Sequence, residues 1–502
     1  MIAVSIGRGR HKMMIAEHKH LAEQGAELVE LRVDYIMRAV NLKRLVADRP
    51  CPVIITCRRE QDGGKWDKSE EERLMLLRTA IVDGVDYVDL EEDIAGSIPR
   101  FGKTKRIVSY HNFHETPKDI REIHERLKGL DPDIIKLATM AHNPHDNVRM
   151  LELIAESETP TVAFCMGDMG TPSRILAARF GAPFTYATFH QERALAPGQL
   201  SFQQMRENYH YDDITPSTEV YGVIADPIGH SMSPAVHNAA FRHLKMDKVY
   251  IPIRVPREDL GEFMTYCRGF GLRGLSVTIP HKEAIIEHVD SVDRAVDNIG
   301  AANTVVMDGF DKMAYNTDFR AALDSIDATL GRGGSVDVLA GRAAIVLGAG
   351  GVAKAILHAL KLRNVDVTIA SRTFAKAEAV AEKFGCKATE WKNRHNVKCD
   401  MVINCTPIGM HPHVNETPYE GRHLRRSTIV FDTVYNPERT LLIKQARDVN
   451  ANVVTGVDMF VRQAALQFKL FTDQDAPEDV MREAIKKATG AVKAIVTDAG
   501  EG

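Results

Sequence analysis

Three features are scarce in this chain: paired cysteines, an excess of basic residues and long apolar runs. Its seven cysteines (Cys51, Cys57, Cys165, Cys267, Cys386, Cys399 and Cys405) form no CxxC pair and mostly fall in strand-like apolar runs. That excludes a disulfide framework and a zinc site, predicts no metal, and suits reduced thiols. With 64 basic against 68 acidic residues the net charge is -4 and no basic stripe is present, so nucleic acid is not an expected partner. No apolar run approaches the roughly 20 residues that span a bilayer, which removes membrane insertion from the expected roles. The strand-like opening Met1-Ile2-Ala3-Val4-Ser5-Ile6 leaves no leader ahead of it, and the expected compartment is the cytoplasm. Nothing in the pattern sets an oligomeric state.

What is present, 502 residues with 44% hydrophobic and 26% charged content, is enough for two or three domains. Short β-rich runs recur at 2–6, 27–33, 52–57, 85–90, 106–110, 133–137, 160–165 and 183–188, with helical spacing between them, as at 70–82 and 119–127. Eight strand–helix units predict a (β/α)8 TIM barrel over residues 1–212, with its active site at the carboxyl ends of the strands.

Polar residues close several runs: Glu30 and Arg32 the second, Arg58 and Arg59 the third, Glu91 the fourth, His111 the fifth, with Arg174 after the seventh. Singly each reads as a rim salt bridge or a solvated loop charge; in a barrel the set faces one pocket. The sixth run carries a lone lysine, Lys136, among apolar neighbours. Burying an ammonium is costly or forces the proton off. Lys136 is therefore either a rim residue whose stem lies along apolar surface, or an amine made nucleophilic by its surroundings. Such an amine attacks a carbonyl to form an imine, and a base such as His111 can then deprotonate the adjacent carbon. Arginines suit an anionic substrate, because their fork pairs a carboxylate bidentately.

Glu30-Leu31-Arg32-Val33-Asp34, Thr56-Cys57-Arg58 with Gly63-Gly64 downstream, Ser109-Tyr110-His111-Asn112, Lys136, Ser173-Arg174 and Ala196-Pro197-Gly198-Gln199, in that order, resemble type I 3-dehydroquinate dehydratase over nearly all of residues 1–205. The resemblance implies an imine-forming Lys136, His111 as general acid/base, and substrate contacts at Glu30, Arg32, Arg58, Asp62, Arg174 and Gln199. Two positions depart from the family pattern. Asp62 stands where a glutamate usually precedes the Gly-Gly pair, so its expected hydrogen bond toward the histidine is longer or water-mediated. Leu195 replaces the serine ahead of Ala-Pro-Gly-Gln and removes a hydroxyl from the substrate lid.

Residues 206–218 are polar and contain Pro216; a fresh strand follows at 219–224. Further on, the apolar run 344–347 feeds Gly348-Ala349-Gly350-Gly351-Val352-Ala353 and a helical run at 354–362. A G-x-G-x-x-A string alone also fits a plain turn, but between strand and helix it fits a dinucleotide pyrophosphate at a helix N-terminus. The next strand, 365–370, ends in Ser371-Arg372-Thr373. An NAD-selective site would offer a carboxylate there, whereas Arg372 favours the 2′-phosphate of NADP(H); a solvated arginine is the plain alternative.

Upstream, Ser231-Met232-Ser233-Pro234, the Ser276–Glu283 segment with Thr278 and Lys282, Ala302-Asn303-Thr304 and Asn316-Thr317-Asp318 offer hydroxyls, amides and one Lys/Asp pair, groups that suit a polyol. Lys282 sits near a helix start, where the dipole disfavours a cation, which points to function over a surface charge. With Asn404 to Met410, Asp432-Thr433-Val434-Tyr435 and Gly456 through Gln463 and Gln467, these motifs resemble shikimate dehydrogenase over about 219–473. The resemblance implies Lys282 and Asp318 as the catalytic pair. It implies substrate contacts at Ser231, Ser233, Thr278, Asn303, Tyr435 and Gln463, and cofactor contacts at Gly348–Ala353, Ser371, Arg372, Thr373, Thr406, Met410 and Gly456. Phe319-Arg320, where a small residue is common, narrows the expected cleft.

The expected layout is the barrel at 1–212, a linker at 213–218, a substrate-binding domain of 219–320 plus 456–490, a Rossmann-type NADP-binding domain at 321–455 and a flexible tail at 491–502. Together the resemblances imply a bifunctional enzyme that dehydrates 3-dehydroquinate to 3-dehydroshikimate and reduces it to shikimate. The alternatives are a quinate/shikimate dehydrogenase using NAD(H), or a degenerate metabolite-sensing regulator. The latter predicts lost catalytic groups or a DNA-binding arm, yet Lys136, His111, Lys282 and Asp318 are all present.

Overall fold

In the computed structural model, which describes residues 1–190, 192, 194–229, 231–331 and 337–498, all eight runs of the first half are strands. They are Ile2–Ile6 (β1), Leu28–Arg32 (β2), Val53–Thr56 (β3), Tyr87–Glu91 (β4), Lys105–Asn112 (β5), Ile134–Met140 (β6), Thr161–Met166 (β7) and Thr185–Thr188 (β8). They are parallel, ordered β7-β6-β5-β4-β3-β2-β1-β8, with helical segments between: a (β/α)8 barrel. Most strand residues are buried, as expected of parallel strands covered by helices. Local chemistry sets the helix starts: ahead of Glu70–Val82, Ser69 accepts from the Glu72 amide while Glu72 reaches back to the Ser69 amide.

Side-chain alternation splits the barrel interior into layers. Ala3, Leu28, Ile54, Ile107 and Ile134 belong to an apolar cluster closed by Val162, Phe164, Phe184 and Tyr186. Two residues further along the same strands and faces lie Ser5, Glu30, Thr56, Ser109 and Lys136, all buried. The barrel is therefore apolar below and polar toward its carboxyl ends.

By contacts the chain divides into two units: Met1–Gly222 with Asp226–Ser231 and Asp247–Leu272, and Val223–Ala225 with Met232–Met246 and Arg273–Gly502. Beyond the barrel, a mixed six-stranded sheet runs β10-β9-β11-β13-β14-β12, from Glu219–Ala225 (β9), Lys248–Arg254 (β10), Leu272–Val277 (β11), Ser291–Val292 (β12), Thr304–Asp308 (β13) and Asp311–Tyr315 (β14). A third sheet, wholly parallel, comprises Ala343–Leu347 (β15), Asp366–Ser371 (β16), Lys387–Glu390 (β17), Met401–Asn404 (β18), Ile429–Asp432 (β19) and Asn452–Val454 (β20). Its order β17-β16-β15-β18-β19-β20 is the doubly wound dinucleotide-binding topology, which reverses between β15 and β18.

The chain leaves this sheet through the Gly456–Thr472 helix and ends in a helix at Glu478–Asp498, which packs on the Ser233–His243 helix. Met481 and Ile485 are buried, and Arg482 donates to Asp458 at 2.8 Å. Residues 499–502 of the expected tail lie outside the described residues.

Candidate active sites

In the barrel, strand register turns the polar layer into a hydrogen-bonded ring. Ser5 and Glu30 are paired neighbours, and Ser5 Oγ donates to Glu30 at 2.6 Å; Thr56 Oγ1 donates to the other Glu30 oxygen at 2.8 Å. Lys136 Nζ donates to Asp89 Oδ2 at 2.9 Å and lies 3.6 Å from Glu30 Oε1. Its ammonium also sits 4.1 Å above the Tyr186 ring. With 5% of its surface exposed, Lys136 is an interior residue and the rim reading is excluded.

Arg58 spans Asp89 at 2.9 Å, Glu91 at 3.0 Å and Ser109 Oγ at 3.1 Å. Burial works against its charge, but Asp89, Glu91 and Glu30 outweigh that and raise its pKa. Burial likewise opposes Asp89 ionisation, yet Arg58 and Lys136 hold its pKa far below the carboxylate range. Glu30 follows the same logic and is lowered by Lys136 and Arg32. His111, half-buried at the end of β5, is pushed well below the ordinary imidazole value by burial, then by Arg58 and Lys136. It is a neutral base at pH 7.

Glu30, Arg32, Arg58, Asp62, His111, Lys136, Arg174 and Gln199 all line one cavity, with Ser5, Phe113, Tyr186 and Leu195. Arg32 is neutralised by a two-pronged bond to Asp34 at 2.8 and 2.9 Å. Arg174 differs. It is buried over the Phe164 ring at 4.3 Å, its Nε and Nη1 lack a partner among the described residues, and burial pushes its pKa down to about 10.

The Asp62 carboxylate accepts from Arg59 Nε at 2.6 Å, and among the described residues no direct hydrogen bond joins it to His111. The shorter side chain is captured by the adjacent guanidinium. The lid is folded on itself, with the Leu195 N–H donating to Gln199 Oε1 at 3.0 Å. Gly167 N–H donates to Pro197 O at 3.1 Å, and a Cβ on Gly198 (φ +69°) would lie 2.2 Å from Gly167 O, so only glycine fits.

Sequence reading missed Asp89, Tyr186 and the bonds of Ser109. It took strand ends as the source of function and stopped at Glu91; the alternation that puts position 89 on the face of 91 was the available signal.

In the second unit Lys282 Nζ donates to Asp318 Oδ2 at 2.5 Å. Asn303 Nδ2 donates to Asp318 Oδ1 at 3.0 Å and to Thr317 Oγ1 at 2.8 Å, and reaches Gln463 Oε1 at 3.4 Å. Gln467, matched but given no role from sequence, donates to Asn303 O at 2.9 Å and accepts from Ser276 Oγ at 2.7 Å. Four of the expected residues thus form one network. Ser231 lies in the loop before the Ser233–His243 helix, whose first residue Ser233 is buried. Thr278 follows β11, and its N–H donates to Ile224 O at 3.2 Å. The Tyr435 ring lies 4.5 Å from Phe460, with its phenol pushed up to about 12 by burial.

The glycine-rich turn follows β15, and the helix starts at Gly351, three residues earlier than expected. A Cβ on Gly351 would lie 3.1 Å from Lys282 Cβ and 3.2 Å from its Cδ, so Val352 and Ala353 open the helix directly beside the lysine stem. Gly348 N–H donates to Ala370 O at 2.8 Å. Arg372, between Ser371 and Thr373, is exposed and without an ion pair among the described residues. Thr406 is tied to Asn404 at 2.7 Å through its hydroxyl, Met410 is exposed, and Gly456 begins its helix. Bare glycine backbone at the strand-order reversal and an unpaired guanidinium past β16 fit a 2′-phosphorylated dinucleotide.

A buried amine ringed by carboxylates in a barrel, and a Lys/Asp pair against a dinucleotide turn, define an enzyme with a lyase-type and a reductase-type site. The type I 3-dehydroquinase family matches residues 2–216 and the shikimate dehydrogenase substrate-binding domain residues 223–305. The bifunctional 3-dehydroquinate dehydratase/shikimate dehydrogenase of Arabidopsis thaliana, a chloroplastic protein, is 35% identical over 497 residues, covering 94% of this chain and 82% of its own. The chain belongs to this bifunctional family.

Two further families match, the shikimate 5′-dehydrogenase C-terminal domain at 456–486 and the F420-dependent NADP oxidoreductases at 342–436. A shikimate dehydrogenase (NADP(+)) of Methanothermobacter thermautotrophicus is 38% identical over 284 residues, 55% of this chain and 98% of its own. A crystal structure of shikimate dehydrogenase in complex with NADP+ aligns with TM-score 0.51 at 34% identity, over 55% of this chain and 97% of that one.

Proposed function

We propose that the chain dehydrates 3-dehydroquinate to 3-dehydroshikimate in its barrel and reduces that product to shikimate with NADPH in its second unit. One observation carries the reading: each half sets a lysine against a carboxylate, Lys136 in a cavity it shares with the incompletely paired Arg174 and Lys282 against a glycine-rich turn.

In the barrel Arg58 and Arg32 are already neutralised, which leaves Arg174 to take the substrate carboxylate. Lys136, after passing one ammonium proton to neutral His111, attacks the substrate ketone; His111 returns that proton to the carbinolamine hydroxyl, which leaves as water and gives the protonated imine. His111, neutral, accepts the proton from the adjacent carbon, and the C–H electrons pass into the imine as an enamine. As they return, the C–O bond to the leaving hydroxyl breaks and protonated His111 gives that oxygen its proton. Hydrolysis of the imine then frees Lys136.

In the second unit Gly348–Ala353, Arg372, Thr406 and Met410 would hold NADPH, which would supply the hydride. Lys282 delivers a proton to the developing alkoxide, while Asp318, fixed by Asn303, orients the ammonium. Ser231, Ser233, Thr278, Tyr435 and Gln463 are assigned to the polyol.

Both catalytic sets are assembled, which disfavours a degenerate regulator, and Arg372 disfavours an NAD-linked quinate enzyme. We keep 219–320 plus 456–490 as the substrate-binding domain and 321–455 as the NADP-binding domain. The cytoplasm suits seven cysteines that are all thiols, and no described helix is long and apolar enough to cross a membrane.

Borohydride added with 3-dehydroquinate should fix an adduct on Lys136, located by peptide mass mapping. Turnover that leaves Lys136 unmodified under those conditions refutes the imine route.

A further inference from the structure

We infer that Asp432 is a positioning residue for the cofactor: through Asn404 it sets the 405–410 loop against the glycine-rich turn. The inference rests on the reading of this unit as an NADP(H)-binding reductase.

Leu347, Asn404 and Asp432 are register partners at the carboxyl ends of β15, β18 and β19, flanking the point where strand order reverses. Asp432 is fully buried, and its carboxylate accepts three hydrogen bonds: from Thr440 Oγ1 at 2.6 Å, Asn404 Nδ2 at 2.9 Å and the Val434 N–H at 3.1 Å. Asn404 passes the constraint on. Its Nδ2 also donates to Ile408 O at 3.1 Å, while its Oδ1 accepts from the Thr406 N–H at 2.9 Å and Oγ1 at 2.7 Å. Thr406 Oγ1 in turn accepts from the Ile408 N–H at 3.2 Å. A Cβ on Gly348 would lie 2.9 Å from Cys405 O, so the loop packs directly on the turn.

An asparagine amide has one donating and one accepting end, and an ionised carboxylate only accepts. Ionised Asp432 therefore holds the donating end of Asn404 toward itself and Ile408 O and leaves the accepting end for Thr406. Removing that charge puts a donor where only acceptors stood, against either Thr440 or Asn404.

Burial, opposed by the Thr440, Val434 and Asn404 hydrogen bonds, pushes the Asp432 pKa up to about 6. The titratable neighbour just past β18 is Cys405, raised by burial and then by Asp432 and Asp318; the Leu441–Asp448 helix is capped by the neutral Thr440. The sign is opposite to that of a stabilising ion pair. A carboxyl raised in the fold weakens stability at pH 7, and the fold gains as pH falls through about 6. The same protonation takes an acceptor from Asn404. Stability and cofactor affinity therefore move in opposite directions, which a merely structural aspartate would not produce.

The test is Asp432→Asn in the full-length protein, with dehydratase activity as the internal control for folding. The expected result is a KM and Kd for NADP+ raised about three- to tenfold, the loss of one hydrogen bond. In the same variant kcat stays within about twofold, dehydratase activity is unchanged and Tm is not lowered. Wild-type KM for NADP+ should rise as pH falls through about 6. The cofactor's own 2′-phosphate titrates there too, so the part of the rise that the variant lacks belongs to Asp432. Unchanged KM with superimposable pH profiles overturns the inference, as does a fall in kcat at constant KM. Should Asp432→Asn fail to fold, Thr440→Val, which removes one donor to the carboxylate, should move the wild-type inflection to higher pH; an unmoved inflection is equally fatal. Wild-type protein that takes up no NADP+ at any pH would overturn the cofactor reading itself.

Discussion

Arg174 is buried with two of its three guanidinium nitrogens unpartnered among the described residues, and its pKa is pushed down to about 10. Lowering an arginine from its ordinary value means that the charged form weakens the fold at neutral pH, a deficit relieved only as pH rises through about 10. In the proposed mechanism the missing partner arrives with the substrate. Arg174→Met should therefore raise the KM for 3-dehydroquinate at least about tenfold, as loss of a charge-assisted pair does. It should also raise Tm by several degrees, because an uncompensated buried cation is gone. Steady-state kinetics and a thermal melt on one preparation decide it; a fall in Tm with KM unchanged would make Arg174 a structural residue. At this scale the sequence was half legible. Lys136, His111 and Arg174 stood out because a charge in an apolar run or at a strand end is costly without a task. Asp89 did not, since an acid one turn of the pleat inside Glu91 looks like any strand-end carboxylate until the register puts it between Arg58 and Lys136. The state of Asp62 was illegible too, because its capture by Arg59 depends on loop shape.

The glycine-rich turn shows how one element serves two sites. Its helix begins at Gly351 because the backbone there already turns, and the Lys282 stem occupies the space a side chain would need. Gly351→Val would push β-branched bulk into a 3.1 Å contact with Lys282 Cβ and displace the ammonium from Asp318, 2.5 Å away. Reductase kcat should fall at least about tenfold, as loss of an aligned proton donor does, with dehydratase activity intact. A change confined to the KM for NADP+ would show that Gly351 serves the pyrophosphate alone. Elements were the most legible level: every barrel strand and the βαβ turn follow from apolar runs punctuated by turn residues. Their ends were not, because strand length is set by pairing; β5 continues through His111 to Asn112 since β6 continues beside it to Thr139. The closing Glu478–Asp498 helix buries Met481 and Ile485 and packs on the Ser233–His243 helix, and it runs past residue 490, where a flexible tail was expected.

Across the whole molecule, the catalytic groups proposed for each activity fall within one unit. Glu30, Asp89, His111, Lys136 and Arg174 belong to one, and Lys282, Asn303, Asp318 and Gln463 to the other. The compound passing between them is a small anion, and the turn that holds the second lysine comes from the second unit itself. The two activities are therefore expected to be separable on one chain. Lys136→Ala should abolish dehydration and leave reduction of 3-dehydroshikimate unchanged, and Lys282→Ala should do the reverse, lowering reductase kcat by roughly two or more orders of magnitude. Mixing the two single variants should then restore conversion of 3-dehydroquinate to shikimate, followed as NADPH oxidation. A lag should precede the steady state, shortening as the Lys282→Ala protein, which makes the intermediate, is added in excess. A mixture that turns over far below the wild-type rate at matched site concentrations, while each variant keeps its full single-step rate, would mean that fusion itself transfers the intermediate. A wild-type lag as long as the mixture's would mean that it does not, and that joining the two enzymes fixes only their ratio.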